Sequence, residues 1–159
     1  MKTVNIFLLI VGLPFLGLAQ KYAPGDFSGI IRIEDNKILD FTYLNNPDGG
    51  TVIYYFTALP DAKKYKTDLK IKSLLMQQIR KLEFLPKTVE ETQYLKAFCR
   101  DCKITKAKVF FRGSKESTPE ILYLAFDRFE WKSDVMKGFE ELRVMETRFI
   151  EEVTINVRK

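Results

Sequence analysis

Residues 68–85 read DLKIKSLLMQQIRKLEFL, and this stretch decides the predicted fold. Its apolar positions recur three or four residues apart, which is the spacing of one face of an α-helix. That face comprises Ile71, Leu74, Leu75, Ile79, Leu82 and Leu85, with Gln78 as its one polar member. Asp68 or Thr67 can cap the first turn, and Pro86 ends the pattern. The sequence therefore predicts one main amphipathic helix over 68–85, with its apolar face packed against a sheet.

Strand patterns precede this segment. Residues 27–33 and 38–44 each read as a strand, and residues 51–59 (TVIYYFTAL) are rich in β-branched and aromatic side chains on both faces. The turn sequence NNPDGG at 45–50 separates the second run from the third. Short turns between successive strands predict an antiparallel meander of three strands at the N-terminal end of the domain.

The segments after residue 85 add a second short helix and further strands. Thr88 and Glu91 fit the capping box that begins a helix. Residues 104–112 then alternate with period two, and residues 121–126 (ILYLAF) are apolar on both sides, as in a central strand. Residues 153–157 alternate again and predict a final strand.

Residues 134–150 fit two structures equally well. Ser133 and Asp134 can cap a helix, whereas Met136-Lys137-Gly138 can form the turn of a hairpin. With either alternative, the predicted fold class is α+β in a single domain over residues 20–159. We expect an antiparallel sheet of about five to seven strands, with the main helix packed on one face and the second short helix beside it.

Residues 1–19 have the pattern of a cleaved export signal. Lys2 supplies a basic start, residues 4–18 are almost entirely apolar, and Gly17 and Ala19 are small residues at the cleavage positions. The alternative is an uncleaved anchor, but this run is shorter than the roughly 20 apolar residues of a membrane span. We expect cleavage at about Ala19, no membrane span in the remainder, and a secreted or periplasmic protein.

The two cysteines form a C-x-x-C pair, Cys99 and Cys102. A zinc site needs further ligands, and the chain has neither histidine nor another cysteine. A thiol-disulfide oxidoreductase places such a pair at a helix N-terminus, where the helix dipole stabilises the thiolate, whereas this pair follows the end of the second helix. The sequence favours a structural disulfide formed in an oxidising compartment, with the oxidoreductase as the alternative.

Positive charge is concentrated in the middle of the chain. The formal net charge is +5, but residues 61–115 carry +9 while residues 20–60 carry −2 and residues 116–159 carry −3. One predicted strand in the basic part presents Lys106, Lys108, Phe110 and Arg112. Basic side chains interleaved with an aromatic ring are typical of sites for anionic polymers, here an anionic polysaccharide or a lipid head group. The alternatives are an ordinary solvated surface, or compensation by the acidic ends within the fold or across a homodimer.

Composition argues against the common catalytic classes. Without histidine the chain can form no Ser-His-Asp or Cys-His triad, and it contains no glycine-rich phosphate loop and no G-x-S-x-G motif. We therefore predict no cofactor, no metal and no enzymatic activity; the enzyme alternatives are the oxidoreductase above and a hydrolase that uses unpaired carboxylates. The predicted function is that of an exported small protein that acts by binding or as a structural accessory. A carrier of hydrophobic ligands is a further alternative, because two strands are apolar on both faces.

Overall fold

The computed structural model describes residues 22–59, 71–98, 101–113 and 118–158. Antiparallel strands dominate these residues, together with one α-helix, α1 (Val89–Phe98). The strands are β1 (Phe27–Ile33), β2 (Lys37–Phe41), β3 (Tyr43–Asn45), β4 (Val52–Phe56), β5 (Lys72–Leu75), β6 (Ile79–Leu85), β7 (Thr105–Phe111), β8 (Glu120–Leu124), β9 (Arg128–Lys132), β10 (Arg143–Glu146) and β11 (Ile150–Val157). The predicted export signal, residues 1–19, lies outside the described residues.

Strand pairing forms two closed circuits. Eight strands form one sheet in the order β2-β1-β11-β6-β7-β8-β4-β5, and three form another in the order β10-β9-β3. In the first circuit, strands pair in the order β6-β7-β8-β4-β5. The circuit is closed by the chain itself, because β5 continues into β6 through a 3-10 turn at Met76–Gln78. In the second circuit, β11 pairs with β1, β1 with β2, β3 with β9, and β9 with β10. The chain closes this circuit, because β2 continues into β3 and β10 continues into β11 through a 3-10 turn at Thr147–Phe149. Pairing of β11 with β6 joins the two circuits.

One large apolar core serves both circuits. Every described strand except β10 contributes buried side chains to it. The aromatic rings of Phe126 and Phe129 meet edge to face at 4.8 Å between centroids, and Phe129 meets Phe84 at 6.2 Å. Such contacts between aromatic rings add to the stabilisation from burial itself.

The predicted main amphipathic helix over 68–85 is wrong. Within the described part of that segment, residues 71–85, the chain forms β5, a 3-10 turn and β6. The fold is accordingly mainly β with some helix. Among the described residues there is one helix rather than two, and the larger sheet has eight strands, more than the sequence predicted.

The helical spacing arises from two interruptions of a strand pattern. Leu74 and Met76 are buried two positions apart, as in a strand. The next buried residue, Ile79, follows three positions later because the 3-10 turn intervenes. Leu82 follows after three more, because the register of β6 against β7 shifts between Ile79 and Lys81. Strand segments offset in this way repeat their apolar residues with nearly the period of a helix.

The predicted three-strand meander is wrong in its third strand. β1 and β2 pair as predicted, but β4 pairs with β5 and β8. The NNPDGG turn redirects the chain around Asn46, which is 1% exposed. Its side-chain amide donates to the Val52 carbonyl at 3.1 Å, and its side-chain oxygen accepts from the Asp48 N–H at 3.1 Å. With these bonds the turn directs β4 away from β3, and β4 does not pair with β3 as the meander required.

Several local predictions are confirmed. The second short helix is α1, and its capping box is present: Thr88 Oγ1 accepts from the Glu91 N–H at 3.1 Å, and Glu91 Oε2 accepts from the Thr88 N–H at 2.7 Å. The strands predicted over 104–112, 121–126 and 153–157 are β7, β8 and β11. Each of these predictions depended on residues adjacent in the sequence.

Over residues 134–150 the hairpin alternative is correct. β9 and β10 pair antiparallel, with Arg143 opposite Trp131. The connection between them passes through Gly138, whose φ of 87° lies in the left-handed region that favours glycine.

Helix α1 packs away from the main core. Its Leu95 forms a second, smaller apolar cluster with Phe56 and Ile104, against which Leu59 and Tyr123 pack. In the described part of the chain, no helix has the length and apolar character needed to cross a membrane.

Candidate binding cleft

A cleft of about 450 Å³ opens where β6 and β11 separate. The two strands pair over three residues, and this ladder ends at Glu83 opposite Glu152. Next along β11, Glu151 is an extra residue, because the register against β1 shifts at this point. A bulge bends the strand that contains it. β6 itself ends before Pro86, which has no N–H for a ladder bond. The strands therefore diverge, and the cleft occupies the space between them.

The apolar part of the cleft is built on the core. Phe84, Leu85 and Pro86 line one side, and Ile150 lines the other. Because the Phe84 ring contacts Phe129, which is fully buried, this wall is held in place by the core. A ligand with an apolar body therefore meets a fixed surface.

Two buried threonines supply the polar floor of the cleft. Thr105 and Thr147 both line it, with exposures of 8% and 4%. Their hydroxyl oxygens lie 2.8 Å apart. Thr105 Oγ1 is 2.6 Å from the carbonyl oxygen of Phe126, and Thr147 Oγ1 is 3.1 Å from that of Asp127. The floor is thus a closed hydrogen-bonded cluster.

Three cations reach the cleft, and two of them are compensated. Lys106 Nζ lies 2.9 Å from a Glu91 oxygen, and Arg148 Nε lies 2.7 Å from a Glu146 oxygen. Lys87 Nζ donates to the Ile104 carbonyl at 2.6 Å, but it forms no ion pair with any carboxylate of the described residues. An anion in the cleft would therefore find its strongest uncompensated partner in Lys87.

A carboxylate also lines the cleft. Glu151, the extra residue of β11, is exposed and forms no ion pair with any residue that the structure describes. The cleft therefore combines one uncompensated cation and one uncompensated anion with an apolar wall.

Beside the cleft, Glu91 fastens α1 to the sheet. Its carboxylate accepts from Tyr123 Oη at 2.6 Å, from Lys106 Nζ and from the Thr88 N–H. The hydrogen bond from Tyr123, with those from Lys106 and Thr88, lowers the pKa of Glu91 to about 2. Burial, together with the neighbouring Glu91 carboxylate, raises the pKa of Tyr123 to about 12. At neutral pH Glu91 is ionised and Tyr123 is protonated, so neither group is poised to exchange protons as a catalytic acid or base.

Replacing Glu91 with glutamine is expected to lower the unfolding free energy at pH 7 by about 1–3 kcal/mol, since it removes charge-assisted hydrogen bonds. The pKa of Glu91 in the folded protein lies below its ordinary value of 4.5. Its stabilisation is therefore fully present above pH 4.5 and is lost as the pH falls through about 2. Chemical denaturation of the unsubstituted protein and of Glu91→Gln from pH 7 to pH 2 measures the difference in unfolding free energy, which should shrink as the pH falls. Glu90→Gln, at the exposed neighbouring position, is the control, and an equal loss there would contradict the assignment.

Of the four predicted basic-site residues, the structure places Lys106 in the cleft lining and Lys108 elsewhere on the sheet. Lys108 Nζ lies 3.8 Å from Glu83. Glu83 also pairs with Lys81, and Lys81 with Glu152 of the acidic C-terminal part. Lys81 and Lys108 are thus paired locally, mostly with Glu83 of the same basic segment, and only the Lys81–Glu152 pair joins that segment to an acidic end of the chain.

The other two predicted residues serve local contacts. The Phe110 ring lies under Lys81 Nζ at 4.2 Å from the ring centroid. The Arg112 guanidinium donates to the Ile155 carbonyl at 2.6 Å and to the Ile79 carbonyl at 3.1 Å, so it links the ends of three strands. The structure does not bring these two side chains into the cleft lining.

The cysteine pair stays a prediction. Cys99 lies outside the described residues, and Cys102 is exposed shortly after α1. Across residues 22–59, 71–98, 101–113 and 118–158, no group of three or more Cys, Asp or Glu side chains is arranged to hold a metal ion.

Sequence reasoning missed most of the cleft. Lys87, Thr105, Thr147 and Glu151 come from segments that meet only because β6 and β11 are neighbours in the sheet. The β6 segment carried a helical pattern, so no signal in the sequence placed it beside β11.

Comparisons with protein-family models, with curated proteins and with solved structures gave no match to this chain.

Proposed function

We propose that this chain is an exported, non-catalytic binding protein whose cleft takes a small organic anion with an apolar body. The observation that carries this proposal is the cleft itself, where an apolar wall and the uncompensated Lys87 face the same space. Small-molecule sites are typically concave, of roughly 300–1,000 Å³, mainly apolar, with a few polar groups that orient the ligand. The cleft, at about 450 Å³, lies in this size range and combines an apolar wall with polar and charged side chains.

A small ligand is favoured over an anionic polymer. A polysaccharide or a lipid surface binds to a row of uncompensated cations. On this sheet Lys106 and Lys108 have carboxylate partners in Glu91 and Glu83, so the row is already compensated. One uncompensated lysine beside an apolar wall suits a ligand with a single anionic group.

This proposal gives Glu91 and Tyr123 no catalytic role. Glu91 and Tyr123 adjoin the cleft, and each is held in one protonation state across the neutral pH range. Thiol-disulfide exchange at Cys99 and Cys102 stays an alternative function, and Cys102, the described member of the pair, is not among the cleft-lining residues.

Two fluorescent probes test the anion site. Anilinonaphthalene sulfonate and N-phenylnaphthylamine share an aromatic body, but only the first carries a charge. We expect saturable binding of the sulfonate, weakened about tenfold by Lys87→Gln, because a hydrogen bond to a charged group contributes about 1.5–3 kcal/mol. Binding of the neutral probe should be unchanged by the same substitution.

Lys108→Gln is the matched control, since this lysine lies outside the cleft lining. Equal weakening by both substitutions would contradict an anion site at Lys87. Equal binding of the two probes, unaffected by Lys87→Gln, would instead indicate a carrier of neutral apolar ligands.

A further inference from the structure

The threonine floor accepts hydrogen bonds but has no proton left to donate. Three oxygen pairs lie within hydrogen-bond distance, Thr105 Oγ1 with Phe126 O, Thr105 Oγ1 with Thr147 Oγ1, and Thr147 Oγ1 with Asp127 O, and the two hydroxyl protons can fill two of these contacts at a time. Carbonyl oxygens only accept, so the two hydroxyl protons are both used within the cluster. The Thr147 N–H is also engaged, at 2.7 Å from Asp127 O. What remains on the hydroxyl oxygens is lone pairs, which match a hydrogen-bond donor on a ligand.

Glu151 reinforces this preference for a donor. It lines the same cleft as Thr147 and forms no ion pair within the described part of the chain. A carboxylate and two acceptor hydroxyls together attract a positively charged donor, and an ammonium group has three N–H bonds to offer. A ligand that carried only an anionic group would leave these acceptors without a partner.

We propose that the ligand of the cleft is a zwitterion, either a free amino acid or a short peptide with an apolar side chain. Its ammonium group is bound by Glu151 and the hydroxyls of Thr105 and Thr147, and its carboxylate by Lys87. The apolar side chain packs on Phe84 and its neighbours in the cleft wall. This inference rests on the proposed function and adds the second charged group of the ligand.

Three ligands of similar size test the inference by calorimetry: phenylalanine, phenylpropionate, which lacks the ammonium group, and phenethylamine, which lacks the carboxylate. We expect phenylalanine to bind about tenfold more tightly than either analogue, because each analogue loses one charged contact. Glu151→Gln should weaken phenylalanine about tenfold and leave phenylpropionate unchanged or slightly tighter. Glu120→Gln, which removes an exposed carboxylate outside the cleft, should change neither.

The results separate this inference from the proposed function. If phenylpropionate binds as tightly as phenylalanine, or if Glu151→Gln affects both ligands equally, the zwitterion is wrong while an anion site stands. If the sulfonate probe binds at Lys87 but none of the three ligands does, the zwitterion is likewise wrong. If Lys87→Gln changes the binding of neither the sulfonate nor phenylalanine, the proposed function itself fails.

Discussion

Replacing Gly29 with alanine is expected to lower the unfolding free energy by about 3 kcal/mol, at the upper end of what overpacking usually costs. Gly29 lies in β1 between β2 and β11. A Cβ at this position would stand 1.9 Å from the backbone oxygen of Thr154 and 3.0 Å from the Phe41 ring. Backbone oxygen in a central strand has no rotamer through which to move away, so β11 itself must shift.

Gly25→Ala is the matched control, because a Cβ there meets nothing within 4 Å. Urea denaturation of the unsubstituted protein, Gly25→Ala and Gly29→Ala measures the loss of unfolding free energy. Similar losses for the two substitutions would contradict the steric argument. Thr154 is also one of the three β11 residues that pair with β6, opposite Lys81. We therefore expect Gly29→Ala to weaken probe binding in the cleft, in addition to its effect on stability.

Replacing Phe129 with alanine is expected to cost about 3–5 kcal/mol, the usual loss when a buried aromatic side chain is truncated. Phe129 is fully buried and contacts the rings of both Phe126 and Phe84. Since Phe84 lines the cleft, loss of its supporting ring should also weaken binding of the neutral apolar probe.

Phe149→Ala provides the comparison for this second substitution. Phe149 is 47% exposed and contacts Arg148 by its ring face. Truncation there should cost less than about 1 kcal/mol, the scale of an exposed cation–π contact. A loss at Phe129 no greater than that at Phe149, in the same denaturation experiment, would show that the aromatic cluster does not support the core as described.

The sequence predicted those elements that adjacent residues determine. Thr88 and Glu91 specify the start of α1 through bonds within one turn, so the capping box could be read directly. β7 and β8 were predictable because their apolar alternation or continuous apolar character extends over the whole strand. In both cases the physical cause lies inside the segment.

The failures have causes outside the segment. The bend between β5 and β6 exists because β5 pairs with β4 while β6 pairs with β7 and β11, and no local property of residues 71–85 reveals those partners. The cleft depends on the same pairing and on the bulge at Glu151. Lys106 was singled out for its charge, but its carboxylate partner Glu91 lies 15 residues away on a different element.

The divergence of β6 and β11 has a consequence for how the folded protein meets other copies of itself. Unpaired strand edges template aggregation, because their free N–H and C=O groups can pair with another chain. Proline, bulges and charged side chains are the usual protection against such pairing. Here Pro86 ends the free edge of β6, while the free edge of β11 has a bulge at the charged Glu151 and is flanked by Arg148. The residues that give the cleft its shape therefore also protect the protein against aggregation through added strands.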